Sequence, residues 1–194
     1  MNIRLEPQVW ISHDRPEPDK ITPVRAELFF KPRGGMWTST LDERGGQWLR
    51  WVMQDALYGK DTGLEDERWG GKLWLLQPAE ARIAVIANPR DLRELHDAYP
   101  FPTPASLRSL RSYELLVDWV ALAEHYDAIH VPNPWPWRFG YDPNDPEGGD
   151  LFGASMFFYT LDAESTCWFR WCFEDVQELD PDPYLAKLRA GEED

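Results

Sequence analysis

Apolar residues in this chain come in short runs separated by proline and glycine, and their spacing changes from run to run. Alternation over a few residues predicts a half-buried strand, and apolar residues at i, i+3, i+4 and i+7 predict one face of a helix. "PQVWISH" reads as a first strand ending near His13, followed by the turn-rich "DRPEPDKITPV". "AELFF" is a brief strand or an irregular run, and "GGMWTST" starts a second strand after its glycines. "GGQWLRWVMQDAL" has helical spacing through Trp48, Trp51, Val52 and Asp55, the first three giving an apolar face. "YGKDTGLEDERWGG" is a surface loop. "KLWLLQP" and "ARIAVIANP" are two strands joined by a short turn, the second alternating through Ile83, Val85 and Ala87.

The second half mixes both periods. "NPRDLRELHDAYP" predicts a helix capped by Asn88, with Pro89 at its first position and a stripe of Leu92, Leu95 and Tyr99. "FPTPASLRSL" is a proline-rich joint, and "SYELLVDWVALAEHY" predicts a helix capped by Ser112, with Leu116, Trp119, Val120 and Ala123 along one side. "DAIHVP" is a short strand, and "NPWPWRFGYDPNDPEGGD" is a loop. "ASMFFYT" and "STCWFRWCF" read as strands and "DPDPYLAKLRAGEED" as a last helix with an acidic tail. This order predicts an α+β fold rather than an alternating parallel sheet. Residues 1–186 are expected to form one globular domain and 187–194 a tail.

Composition narrows the function. The 11 Trp, 7 Tyr and 9 Phe in 194 residues exclude a disordered chain. With 34 Asp and Glu against 20 Lys and Arg, the net charge is -14, which repels phosphate backbones, so strong non-specific nucleic-acid binding is not expected. Cys167 and Cys172 are an odd number of residues apart, so in one strand they face opposite ways; two reduced thiols in a cytoplasmic protein are expected. The first ten residues hold no apolar leader core, and no run approaches the roughly 18 residues of a membrane span. No H-E-x-x-H, C-x-x-C, G-x-G-x-x-G or Walker pattern occurs, and "DPNDPEGGD" breaks the calcium-loop spacing, so no metal site is expected.

Three places can carry chemistry. His13 ends a strand, where an imidazole can bond a ribose hydroxyl or act as a base; the plain alternative is a surface histidine. Trp37 follows Gly34 and Gly35 and precedes Thr38, Ser39 and Thr40. Glycines let backbone approach a flat ligand, and an indole offers a stacking face; the alternative is a turn beside a core tryptophan. Asp162 and Glu164 in "TLDAEST" are two apart and point the same way if extended, either to stabilise positive charge at a sugar carbon or simply as a charged turn.

Taken together, "VWISHDRP", "RGGMWTST" with the helix "GQWLRWVM", and "LDAESTCWFRWCF" resemble, in that order, the ADP-ribosyltransferase fold family. The middle segments "ARIAVIANPRDLRELHDAYP" and "YDAIHVP" are similar to the family as well, while Asp14-Arg15 stands where the family has a small hydroxyl residue. The resemblance implies a split antiparallel or mixed sheet with flanking helices, NAD as the substrate that donates ADP-ribose, and an unidentified macromolecular or small-molecule acceptor. It implies that His13 orients a ribose and Trp37 stacks on nicotinamide near Ser39 or Thr38. Glu164, with Asp162 as the alternative, would hold the ribose 2′-hydroxyl. Arg15, Lys31 and Arg33 are the candidates for the pyrophosphate, and loop 133–150 would recognise the acceptor. More narrowly, "KPRGGMW", "YDAIHV" and "CWFRW" resemble a group of small bacterial and phage-type proteins for which no activity follows. Two other classes stay open: an acidic, tryptophan-rich binding or inhibitor module, and a transferase-like fold whose active site has degenerated.

Overall fold

The computed structural model describes residues 2–50, 72–107, 109–110, 113–137, 152–161 and 163–190. Strands β1 (Asn2–Ile3), β2 (Gln8–Ile11), β3 (Thr22–Arg25), β4 (Arg33–Thr40), β5 (Leu73–Pro78), β6 (Ala81–Val85), β7 (Ala128–Val131), β8 (Ser165–Trp168) and β9 (Phe173–Leu179) form one mixed sheet. Its order is β1-β6-β7-β8-β4-β2-β5-β9, with β3 also on β4. Helix α1 begins at residues 47–50, and α2 (Pro89–Ala98), α3 (Trp119–His125), α4 (Phe152–Tyr159) and α5 (Asp182–Ala190) follow. The fold is α+β, a curled mixed sheet with flanking helices.

Among the described strands only β6 and β7 pair in parallel; α2 and α3 lie between them in sequence and return the chain in the same direction. The predicted start of α2 is present: Asn88 Oδ1 accepts from the N–H groups of Arg90 and Asp91 at 2.8 and 3.3 Å, and the Asp91 carboxylate accepts from Asn88 N–H at 3.1 Å. Strand β4 is the hub. It pairs with β3 at its start, with β8 through Met36–Thr38 and with β2 at Ser39 and Thr40.

One face of the sheet carries Ala84, Ile129, Val131 and Cys167 against Leu92 of α2, Trp119 and Leu122 of α3, and Phe157 and Phe158 of α4. The other face is covered by the sheet itself as it curls: Met36, Ile83, Ala128 and Trp168 pack against Leu76 of β5 and Phe173 of β9. The two edge strands approach each other, and Arg4, just past β1, donates two bonds to Glu174 of β9 at 2.9 and 2.8 Å.

Several elements differ from the sequence expectation. "ASMFFYT" lies in helix α4, not a strand. Its buried Ala154, Phe157 and Phe158 follow i, i+3, i+4, a period masked by the apolar Met156 between them and Tyr159 after them. The helix expected from Ser112 starts only at Trp119, with Asp118 accepting from Val120 and Ala121 N–H. Leu115, Leu116 and Val117 are consecutively buried, which one helix face cannot achieve, and Val117 instead bridges Pro100. "STCWFRWCF" is not one strand: β8 ends at Trp168 and β9 begins at Phe173 on the far side of the sheet. Arg170 stands in the turn between them and donates to the Ala123, Glu124 and Tyr126 carbonyls at the end of α3. β3 arises within the stretch read as turns, and α5 runs on to Ala190, past the expected tail boundary. Ser112, Asp162, the rest of the predicted α1 helix with Trp51, Val52 and Asp55, the loop to residue 71, and residues 138–150 and 191–194 lie outside the described residues.

Candidate functional site

Cross-strand register sorts the curled face into rows. Ile83, Ala128, Trp168 and Met36 stand side by side on β6, β7, β8 and β4, and this row is apolar. One step along, the row is Val85, His130, Thr166 and Thr38. The next step brings Thr40 of β4 beside Gln8 of β2. The β4–β8 ladder ends at Thr38↔Thr166, so a continued ladder would set Thr40 opposite Glu164. The Glu164 side chain fills that rung: Thr40 N–H donates to Oε2 at 2.8 Å and Thr40 Oγ1 donates to Oε1 at 3.0 Å. A backbone N–H that the shortened ladder would orphan is thereby paired.

The bonds run in one direction. Trp168 Nε1–H donates to Thr38 Oγ1 at 2.9 Å, and Thr38 Oγ1 donates to Gln8 Oε1 at 2.8 Å. Gln8 Nε2–H donates to Thr40 Oγ1 at 3.1 Å, and Thr40 donates to Glu164. Each hydroxyl spends its one hydrogen toward the carboxylate, so Glu164 is the final acceptor of a buried chain. Helix α1 closes the end of the row: Gln47 Oε1 accepts from Glu164 N–H at 2.7 Å.

Glu164 is 6% exposed, and burial pushes its pKa up to about 7 against the lowering effect of both Thr40 bonds. His130 is also mostly buried, and burial alone takes its pKa down to about 4. Its Nδ1 lies 2.9 Å from Thr166 Oγ1 and 3.5 Å from Glu164 Oε1. No group of three or more His, Cys, Asp or Glu able to hold a metal occurs among the described residues.

The residues singled out from sequence are spread over the sheet. Glu164 lies in the row just described. Trp37 pairs with Cys167 on the opposite face, half-buried against the helix-side core, with Lys31 Nζ 5.5 Å from its ring centroid. Ser39 alternates to that side too; it is fully buried and accepts from Trp48 N–H at 3.2 Å. Thr38 and Thr40 are the hydroxyls on the Glu164 face. The room left by both glycines is taken by the chain itself. A Cβ on Gly34 (φ 106°) would run into the Pro23 carbonyl oxygen of β3, and one on Gly35 (φ 73°) would come 2.5 Å from Cys167 Sγ. Strand β2 begins beside Thr40 and runs away from it to Ile11, roughly 10 Å along at about 3.3 Å per residue, and exposed His13 follows two residues later. Arg15 donates to the Val176 carbonyl at 3.2 Å, and Arg33 lies 3.9 Å from the Phe29 ring centroid at the far end of β4.

No protein-family model, characterised protein or solved structure matches this chain.

Gln8, Thr40, Thr166 and His130 were not joined to Glu164 by sequence reasoning. Gln8 and His130 are single polar positions in short strands, Thr40 and Thr166 stand beside other hydroxyl residues, and only register brings the four together.

Proposed function

We propose that the chain cleaves NAD and transfers ADP-ribose, with Glu164 as the acid that holds the ribose 2′-hydroxyl. One observation carries the reading: the three segments that resemble the transferase family run through the adjacent strands β2, β4 and β8, and Thr40 at the end of the second meets Glu164 just before β8, with Gln8, the residue before the first segment, beside them. The reaction breaks the bond between C1′ and the nicotinamide nitrogen, the electron pair leaves with nicotinamide, and an acceptor nucleophile bonds to C1′. A carboxylate at the 2′-hydroxyl lowers the cost of the positive charge that develops at C1′. Thr40 holds both carboxylate oxygens in one orientation, so no reorganisation is needed as that charge appears. Only the ionised form of Glu164 can do this, and turnover should rise through about pH 7.

A second reading is a transferase-like fold that retains the buried network without catalysis. Trp37 on the opposite face from Glu164, and His13 beyond the far end of β2, favour it.

NAD titration and nicotinamide release separate the two. Saturable binding at or below millimolar NAD, with release lowered by about 100-fold or more in Glu164→Gln, supports the transferase. Saturable binding without release supports the degenerate fold. Neither binding nor release by the intact protein defeats both.

A further inference from the structure

His130 stands beside Glu164 on the next strand and has no role in the reading above. We propose that His130 is a positioning residue for Glu164: its Nδ1–H, shared with Thr166, steadies the ionised carboxylate and sets the pH at which the site becomes charged.

The geometry fixes which atom meets the carboxylate. His130 is directly opposite Thr166, and Glu164 comes two residues before Thr166, so all three point to one face. Nδ1 meets two oxygens, Thr166 Oγ1 at 2.9 Å and Glu164 Oε1 at 3.5 Å. The ring is neutral near pH 7 because burial penalises its cation. A neutral imidazole carries its hydrogen on one nitrogen only. A lone pair at Nδ1 would accept from the Thr166 hydroxyl but face a carboxylate oxygen, whereas a hydrogen there faces two oxygens that can both accept. When Glu164 is charged, the hydrogen therefore sits on Nδ1 and the lone pair on Nε2. Nε2 makes no hydrogen bond among the described residues, while the side chain keeps 13% exposure and its row neighbour Val85 is 41% exposed.

The other charged groups acting on Glu164 are Asp42, which raises its pKa, and Arg50, which lowers it. They are paired to each other at 2.6 Å, so their effects on the carboxylate oppose. Thr40 supplies its two donors without titrating. His130 is the titratable side chain in direct reach of the carboxylate among the described residues.

The consequence for activity rests on the transferase reading, but the titration does not. Carbon-13 NMR of protein labelled at the glutamate carboxyl carbon follows the titration, with the Glu164 resonance assigned by its loss in Glu164→Gln. His130→Leu removes the donor and should raise the midpoint by at least about half a pH unit, roughly threefold in proton affinity. His130→Asn offers an amide N–H and should return it toward wild type. Thr166→Val leaves Nδ1–H to the carboxylate alone and should lower it. An unchanged or lowered midpoint in His130→Leu, or equal shifts in the Leu and Asn variants, overturns the proposal. If Leu does not fold, a Thr166→Val midpoint at or above wild type does the same. Where nicotinamide release is measurable, its pH midpoint should move with the resonance. Titration shifts without any release by wild type would leave the His130 role standing and remove the transferase reading.

Discussion

The two faces of β4 and β8 are buried to similar depth and hold together by different means. On the helix side, Cys167 and Ile129 lie under Phe157, Phe158 and Leu122, and removing water from apolar area is the driving force. On the curled side, Gln8, Thr38, Thr166 and Glu164 are as deeply buried, but their desolvation is offset by hydrogen bonds among themselves and with Trp168, Thr40 and His130. The apolar face tolerates a change of shape, because many weak contacts share the load. The polar rows do not, because one missing atom leaves its neighbours unpaired in a dry place.

The largest expected effect tests the apolar side. Phe157→Ala should lower unfolding free energy by about 3 to 5 kcal/mol in denaturant melts, and Phe157→Leu by far less. Equal losses from both would mean that this face is as exacting in shape as the polar one.

The next effect is a pH dependence peculiar to the polar side. Glu164 has a folded pKa of about 7, above its ordinary 4.5, so its contribution is full below 4.5 and is lost as pH rises to 7. His130 has a folded pKa of about 4, below its ordinary 6.5, so its contribution is full above 6.5 and is lost as pH falls to 4. Between 4.5 and 6.5 the two slopes oppose, and the pair contributes little net pH dependence. Glu164→Gln removes one slope, so the variant should gain about 3 kcal/mol relative to wild type between pH 4.5 and 7. A difference that stays constant over this range would show that Glu164 is not held away from its ordinary ionisation.

Thr38→Val is smaller again, although the shape is kept. It leaves Trp168 Nε1–H and Gln8 Oε1 without their partner and should cost about 2 kcal/mol by denaturant melt. A cost below that of Phe157→Leu would erase the contrast between the faces. Asn88→Ala removes a polar group at the wet rim of the helix side, where water can replace the cap, and should cost about 1 kcal/mol.

Much of the framework was legible as pattern. β2, β4, β5, β6 and β7, the capped start of α2 and the final helix all follow local spacing, because alternation and capping act between residues a few positions apart. Leu115-Leu116-Val117 misled because consecutive burial has no helical or strand period, and "ASMFFYT" because apolar residues off the buried face hide its helical period. Glu164 was visible as an acid before a late strand, but its environment was not.

The amino-acid order alone determined many of the strands, the capped start of α2, that the chain folds, and which residues carry acids, hydroxyls and imidazoles. Tertiary structure alone decided which of them meet. A strand residue has its facing direction set by alternation, but its neighbours set by register with chain more than a hundred residues away. Register put Trp37 and Glu164 on opposite faces and closed the space at Gly34 and Gly35 with the protein's own backbone and side chains. It also placed Thr40 and His130, unremarkable in the sequence, on either side of one buried carboxylate.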